Sequence, residues 1–325
     1  MPARRLPLPL PLVLLLAVGL GLPRPAWPAQ APLRLATWNL EWLLTPATAQ
    51  ALQRRCRGGP DAGPRLRRPL PCDVVAQARS EADFRALARR ATLLDADVVA
   101  LQEVENEAAA ERVFAGYRFC FTARRDWQNV GFAVRRGLDF RCGPDVLALS
   151  VGDRVRRGAQ LTLFPGAAAE LRLLAVHLKS GCSRESLAAA RGDCSLLARQ
   201  APALAAWIDT QVAAGRPFAV LGDFNRDLRR EARGGEGNSG AGLWQQLTDG
   251  RPRPERLQDA SSGAPFLPCH AGQNFTGYID YILLGGGLAT RRVPGSFARH
   301  PFPDKEALRH RLSDHCPLSV AVALH

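Results

Sequence analysis

The stretch RLSDHCPLSV (311–320) sets an acid and a histidine side by side between Ser313 and Cys316, just before an apolar run. By itself such a triplet reads as a turn leading into a strand. The grouping recurs along the chain, however. Apolar runs end in, or are interrupted by, Asn39 and Glu41 after LRLATW, Gln102 and Glu103 in DVVALQEV, and His177 in LLAVHLKS. Asp223 and Asn225 follow FAVLGDF in the same way, and Asp280 interrupts GYIDYILL. Each has a plain alternative: Glu103 as a helix-capping carboxylate, Asp223 and Asn225 as turn formers, His177 as a core histidine. Asp280 suits its alternative least, because a carboxylate embedded in an apolar strand must be paired or hydrogen-bonded. Together they make several carboxylates, three carboxamides and two histidines, and no GxSxG serine motif accompanies them. Carboxylate and amide oxygens are hard ligands suited to Mg2+, Mn2+ or Ca2+. Histidines beside such a cation suit acid–base work near neutral pH. The set fits metal-assisted hydrolysis of a phosphate ester.

The elements that must position these groups alternate between strand-like and helix-like. Strand-like runs cover LRLATW (33–38), DVVALQEV (97–104), YRFCFTA (117–123), VGFAVR (130–135), LDFRC (138–142), LRLLAVHL (171–178), PFAVLGDFN (217–225), GYIDYILL (277–284) and the closing PLSVAVAL. Ser80 and Asp83 form a capping box with Asp in place of the usual Glu or Gln. They open a helix with Phe84, Leu87, Ala88 and Ala91 on one face. A second helix around 195–212 aligns Leu197, Leu204 and Ile208, with Pro202 expected to kink it or to mark its true start. Residues 45–71 read as a disulfide-pinned loop, and RREARGGEGNSGAG (229–242) as a flexible one. Strand ends brought together in one sheet would gather the polar residues at a rim.

Composition sets the frame. With 325 residues, 46% hydrophobic and 22% charged, the chain can bury a large core. Residues 1–31 read as an export signal: Arg4 and Arg5 precede an apolar run from Leu8 to Leu22, too short for a bilayer span of about 20 residues. The remainder, 32–325, reads as one domain and, by default, a monomer, expected in the periplasm or secreted. All eight cysteines lie after the signal. An even count in an exported chain favours disulfides, and each cysteine bonded to its next neighbour is the simplest pairing. The formal charge of +13 comes almost wholly from arginine, since Lys179 and Lys305 are the only lysines. Such a surface draws polyanions, whether nucleic acid, anionic lipid head groups or acidic glycans.

In order, LATWNLEWL, LQEVEN, VHLKS, LGDFN, IDYIL and SDHCPL resemble the endonuclease/exonuclease/phosphatase superfamily, the deoxyribonuclease-like fold. The resemblance implies an α/β, four-layer sandwich of two mostly antiparallel β-sheets flanked by helices, and divalent-metal-dependent cleavage of phosphoesters. Carried over position by position, Glu103 is the principal Mg2+ ligand, with Asn39 and Asp314 close to the metal. His315 matches the essential histidine and Asp280 the carboxylate that orients it. Asp223 and Asn225 position the nucleophile and bind phosphoryl oxygens. His177 assists the leaving group or binds phosphate, and Lys179 of VHLKS is a further phosphate contact. One position departs from the pattern: Gln128 stands where deoxyribonuclease-like members have a glutamate that orients the first histidine, and Asp126 is a candidate substitute.

Three functions compete. The leading expectation is an exported, low-specificity nuclease on DNA, with RNA a further substrate, because backbone contacts by arginine carry affinity without sequence information. A phosphodiesterase or phosphatase of lipid head groups, sphingomyelinase-like, needs exposed aromatics to sit on a membrane. Its candidate region, 285–311, offers Phe297 and Phe302 without an aromatic pair at a tip. A non-catalytic binding module would not need all of Glu103, Asp223, Asn225, Asp280, Asp314 and His315.

Overall fold

The computed structural model describes residues 31–57, 72–189, 191–234, 242–250, 257–273 and 275–324. The chain order is β1 (Leu33–Leu43), α1 (Pro46–Arg57), α2 (Cys72–Ala76), α3 (Glu81–Leu94), β2 (Val98–Val104), α4 (Glu107–Glu111), β3 (Tyr117–Phe121), β4 (Asn129–Arg135) and β5 (Phe140–Cys142). There follow β6 (Ala159–Leu163), β7 (Leu171–His177), α5 (Gly192–Ala213), β8 (Phe218–Asp223), α6 (Leu228–Ala232) and α7 (Leu243–Leu247). The chain closes with β9 (Gln258–Asp259), β10 (Asp280–Gly285), β11 (Ala298–Arg299), α8 (Asp304–Ala307) and β12 (Leu318–Val322).

Two six-stranded sheets form, in the orders β11-β12-β1-β2-β4-β3 and β5-β6-β7-β8-β10-β9. Each holds one parallel pair, β1 with β2 and β7 with β8, among antiparallel neighbours. Strand alternation assigns the layers, since successive side chains face opposite sides. Leu33 and Leu35 of β1 join the core between the sheets with Val98, Ala100, Phe132, Leu173, Leu221 and Ile282. Ala36, Trp38 and Leu40 face the other way, against Phe84, Leu87 and Ala91 of α3. Leu197, Leu204 and Ile208 of α5 cover the second sheet. The result is helix, sheet, sheet, helix.

Local chemistry explains most of the element starts. The Ser80–Asp83 capping box is complete: the Asp83 amide donates to Oγ of Ser80 at 3.3 Å and the Ser80 amide to Oδ2 of Asp83 at 2.8 Å. The four disulfides pair next neighbours, Cys56–Cys72, Cys120–Cys142, Cys182–Cys194 and Cys269–Cys316, as expected.

Four expectations change. The segment from Thr45 begins as helix α1, because the Thr48 amide donates to Oγ1 of Thr45 at 3.3 Å and Pro46 suits the first turn. Its Gly- and Pro-rich remainder, residues 58–71, lies outside the described residues. Helix α5 starts at Gly192, ten residues before Pro202, and continues through it. AQLTL (159–163), a run too short and too mixed to announce itself, forms a strand. The expected loop at 229–242 opens inside α6, capped by Asp227, whose side chain accepts from the Arg230 amide; residues 235–241 lie outside the described ones. The leader expected over 1–31 also falls, but for Ala31, outside them. No helix among the described residues is long and apolar enough to cross a membrane.

Candidate active site

Topology alone brings the polar strand ends to one rim. In the second sheet, β7 pairs His177 with Asp223 of β8, and β8 pairs Asp223 with Asp280, the first residue of the antiparallel β10. Three adjacent strands therefore present His177, Asp223 and Asp280 side by side. The parity that places Leu173, Leu221 and Ile282 between the sheets aims all three inward. Gly222 makes the approach of β7 and β8 possible: a Cβ there would lie 2.0 Å from the carbonyl oxygen of Val176.

The first sheet reaches the same point by irregular backbone. Between β1 and β2 the register jumps from Asn39↔Gln102 to Leu43↔Val104, and between β2 and β4 from Leu101↔Gly131 to Val104↔Asn129. Glu103 therefore sits in bulges on both flanks, with φ 58°. Simple alternation with Val99 and Leu101 would turn it toward α3; the bulge turns it to the rim. Glu41 and Trp42 also take left-handed backbone, φ 45° and 53°, and so the Trp42 amide points at Oε2 of Glu103, 3.1 Å away. Side chains held by sparsely populated backbone are a common mark of functional sites.

Asn39 joins the two halves. Its Nδ2 lies 3.1 Å from Oδ2 of Asp223 and 3.4 Å from Oε1 of Glu103, and its Oδ1 accepts from the Glu41 amide. The SDH turn is locked beside it. Ser313 donates its hydroxyl to the Asn39 carbonyl at 2.7 Å and accepts from the His315 amide at 3.1 Å. Nε1 of Trp38 donates to the His315 carbonyl. His315 then donates from Nδ1 to Oδ2 of Asp280 at 2.7 Å, and its Nε2 lies 4.0 Å from Asp223 and 3.9 Å from Asp314. His177 turns Nε2 to Asp223 at 3.4 Å and Glu103 at 3.7 Å. Asn225, with φ 51°, donates its amide to Oδ1 of Asp223 and its Nδ2 to the Leu178 carbonyl.

The two histidines differ in charge. Burial alone would lower the pKa of His315, but Asp280, Asp223 and Asp314 outweigh it and hold the proton well above the ordinary value. Burial pushes His177 well below the ordinary value, and the positive charges of Arg156, His315 and Lys179 add to the effect. His177 is therefore the neutral imidazole and His315 the charged one. Neither Gln128 nor Asp126 takes the orienting place: Asp126 accepts from the amides of Trp127 and Gln128 and pairs with Arg124. Nδ1 of His177 has no hydrogen-bond partner.

The donor set fits a hard divalent cation. Glu103, Asp223, Asp280 and Asp314 crowd the rim against a single imidazolium. Burial and the charge of Asp280 push the Asp223 carboxyl up to about 7. That is the response of a carboxylate that is deeply buried first of all and has a second carboxylate beside it. Oδ1 of Asp280 is also buried without a partner, and Asp223, Asp280 and His315 bring ligand atoms within 4.8 Å of one another.

Of the expected site residues, Asn39, Glu103, His177, Asp223, Asn225, Asp280, Asp314 and His315 gather at this rim. Lys179 does not join the hydrogen-bonded cluster; its ammonium goes to Asp193 at 3.0 Å and to the Ser180 carbonyl. Three positioning arginines went unread. Buried Arg79 donates to the carbonyls of Glu41, Trp42, Arg311 and Leu312, strapping the β1 bulge to the SDH turn; burial lowers its pKa to about 10, so it stays charged. Arg156 holds the carbonyls of His177 and Leu178. Arg226 holds those of Cys182 and Glu185 and pairs with Glu231. In an arginine-rich chain the only local hint was position, Arg79 standing directly before a helix cap.

The fold has solved counterparts of low identity. TDP2 from Caenorhabditis elegans superposes with a TM-score of 0.56 at 14% identity, covering 90% of this chain and 74% of that one. An AP endonuclease from Archaeoglobus fulgidus gives 0.53 at 13%, covering 89% and 99%. The human Nocturnin catalytic domain gives 0.50 at 15%, covering 89% and 93%. Among curated proteins no sequence matches. The rim residues from Asn39 to His315 all fall within one sequence pattern that matches residues 36–315, and on that match the chain belongs to the endonuclease/exonuclease/phosphatase family.

Proposed function

We propose that this protein is an exported, divalent-metal-dependent phosphodiester hydrolase of low sequence specificity, acting on DNA and, as a further substrate, RNA. The observation that carries the nucleic-acid reading is a cleft of about 1150 Å³ beside the rim, lined by Trp127 and by four arginines, Arg124, Arg125, Arg154 and Arg157, against the three carboxylates of Glu105, Asp126 and Asp153. Arg124 is paired to Asp126, and Arg157 to Asp145 and Asp153. Glu105, in its wall, is two residues from Glu103. Arginines spaced along a groove suit a phosphate backbone, and a tryptophan among them suits bases. The lipid reading has less support. Phe302 is buried and Phe297 packs against the core, which leaves the 285–311 region without the aromatic tip a membrane enzyme needs. Four disulfides favour an oxidising compartment.

Glu103, with Asn39 and Asp314, would hold the cation, which supplies charge neutralisation to a bound phosphate. The chain's own residues do the rest. Asp223, hydrogen-bonded by Asn39 and the Asn225 amide, is placed to orient a water and accept its proton. His315, kept cationic by Asp280, meets the charge that develops on the phosphoryl oxygens. Asn225 fixes the phosphate beside it. His177, on the strand next to that of Asp223, turns Nε2 to the same carboxylates and would donate a hydrogen bond from it to the departing oxygen.

The test is turnover of plasmid DNA, RNA, sphingomyelin and a simple phosphate monoester with Mg2+, Mn2+ or Ca2+, with chelator and His315→Ala as controls. Metal-dependent DNA cleavage that weakens steeply with salt is expected. Hydrolysis of sphingomyelin or the monoester alone, or a flat salt response, overturns the reading.

A further inference from the structure

The ring of His177 lacks an orienting carboxylate: Asp126 pairs with Arg124, and Arg156 holds only the His177 carbonyl. We propose that Gln102 is the positioning residue in its place, linked from its Nε2 through one bridging water to Nδ1 of His177. The inference rests on the reading of His177 as donor to the departing oxygen, and adds what fixes the tautomer that this donation needs.

Gln102 and His177 are buried, 0% and 4% exposed, and each carries one polar atom without a partner, Nε2 of the amide and Nδ1 of the imidazole. The two atoms are complementary. An amide nitrogen only donates. Nε2 of His177 faces the carboxylates of Asp223 and Glu103 at 3.4 and 3.7 Å, so the proton of the neutral ring sits there and Nδ1 is left to accept. They also share one place in the fold. Alternation puts Gln102 on the face of Val98 and Ala100 and His177 on that of Leu173 and Ala175, both between the sheets. Strand β2 packs across from β7 and β8. At the rim end Asn39, beside Gln102 in register, reaches Asp223, which pairs with His177. The Gln102 amide has one way to face: its Oε1 accepts from Oγ1 of Thr37 at 3.2 Å, which turns Nε2 away from Thr37. Buried waters sit where polar groups would otherwise go unpaired; this one accepts from Nε2 and donates to Nδ1. A carboxylate at the same point would draw the proton to Nδ1, whereas a water bound by an amide leaves it on Nε2, facing the reaction.

The experiment reads the imidazole nitrogens and the departing group. In NMR of the full folded protein, with His177 assigned by its loss in His177→Ala, Nδ1 should resonate as a hydrogen-bonded acceptor. In Gln102→Met, which keeps the volume without the donor, it should move to the free-imidazole value. At saturating metal the same variant should lose about 10-fold in kcat/KM on methyl phenyl phosphate. Methyl p-nitrophenyl phosphate, whose departing group needs no proton, should hardly change, and in a His177→Ala background the substitution should alter neither ester. Thr37→Val removes the hydroxyl that turns the amide; it should show a smaller loss with the same selectivity, and it serves if Gln102→Met does not fold. Equal losses on the two esters overturn the proposal, because Gln102 would then only support the strand. An Nδ1 resonance at the free value in the unaltered protein does the same. Failure of the leaving-group reading looks different: His177→Ala slows both esters equally, while the Nδ1 resonance still reports the link to Gln102.

Discussion

The two halves of the rim are built by opposite means. The half from the second sheet, His177, Asp223 and Asp280, stands on regular strands in consecutive register. The half from the first sheet, Asn39, Glu103, Asp314 and His315, is presented by bulges, left-handed backbone and a turn, and is strapped by Arg79, Ser313 and the Cys269–Cys316 bridge. Regular pairing places a side chain through its neighbours' hydrogen bonds, so a strand end needs little outside help. Irregular backbone places a side chain only while other groups hold it, so that half depends on distant partners.

The largest expected effect comes from the link between the halves. His315→Ala removes the imidazolium held by Asp280, and kcat should fall on the order of 10³-fold or more. Steady-state rates on DNA check this. Arg79→Ala deletes the strap: four carbonyls lose a buried guanidinium, and stability should fall on the order of 3–5 kcal/mol, read from urea unfolding. Arg79→Lys keeps the charge without the planar fork and should fold with impaired turnover; wild-type turnover in that variant would break the claim that the first half depends on its straps. Opening the Cys269–Cys316 bridge should cost about 2–4 kcal/mol and also activity, since Cys316 adjoins His315. Activity surviving full reduction would make the bridge a purely structural element.

The regular half should be more forgiving. His177→Ala should leave measurable turnover, a loss of about 10²-fold at most, because His177 is neutral and lacks a partner on Nδ1. Losses of equal size at His177 and His315 would sink the distinction. The smallest effect concerns pH. Burial alone would raise the pKa of Asp83, but hydrogen bonds from Ser80 and from the Arg311 amide, on the approach to the SDH turn, outweigh it and hold it below the ordinary value. Its contribution to stability is therefore present above the unfolded value of about 3.9 and is lost as pH falls through the lower folded value. Asp83→Asn should flatten the acid-side decline of the urea midpoint in that range, and an unchanged slope would count against it.

Legibility follows the same division. Strands β2, β4, β7, β8, β10 and β12 showed themselves as apolar runs, and the α3 capping box by its spacing. AQLTL carries little periodic signal, being five residues long with Gln160 and Thr162 between its apolar positions. Helix α1 was missed because the Gly- and Pro-rich remainder of its segment outweighed the Ala- and Gln-rich start. Among the site residues, those on regular strands could be placed by alternation alone. Glu103 could not, since alternation aims it at α3.

Residue types and their order determined the chemistry: hard oxygen ligands, two imidazoles and the arginine excess are properties of the chain itself, and so is the succession of six motifs. The pairing of cysteine neighbours was likewise within reach of the sequence. Which histidine carries the charge, which arginine straps the site and why Lys179 stands outside the cluster were decided only by the tertiary structure. These depend on burial and on partners from distant segments, Asp280 for His315 across 35 residues and Leu312 for Arg79 across 233. A local sequence pattern carries no record of such distances, because they are set when two sheets pack and their rims meet.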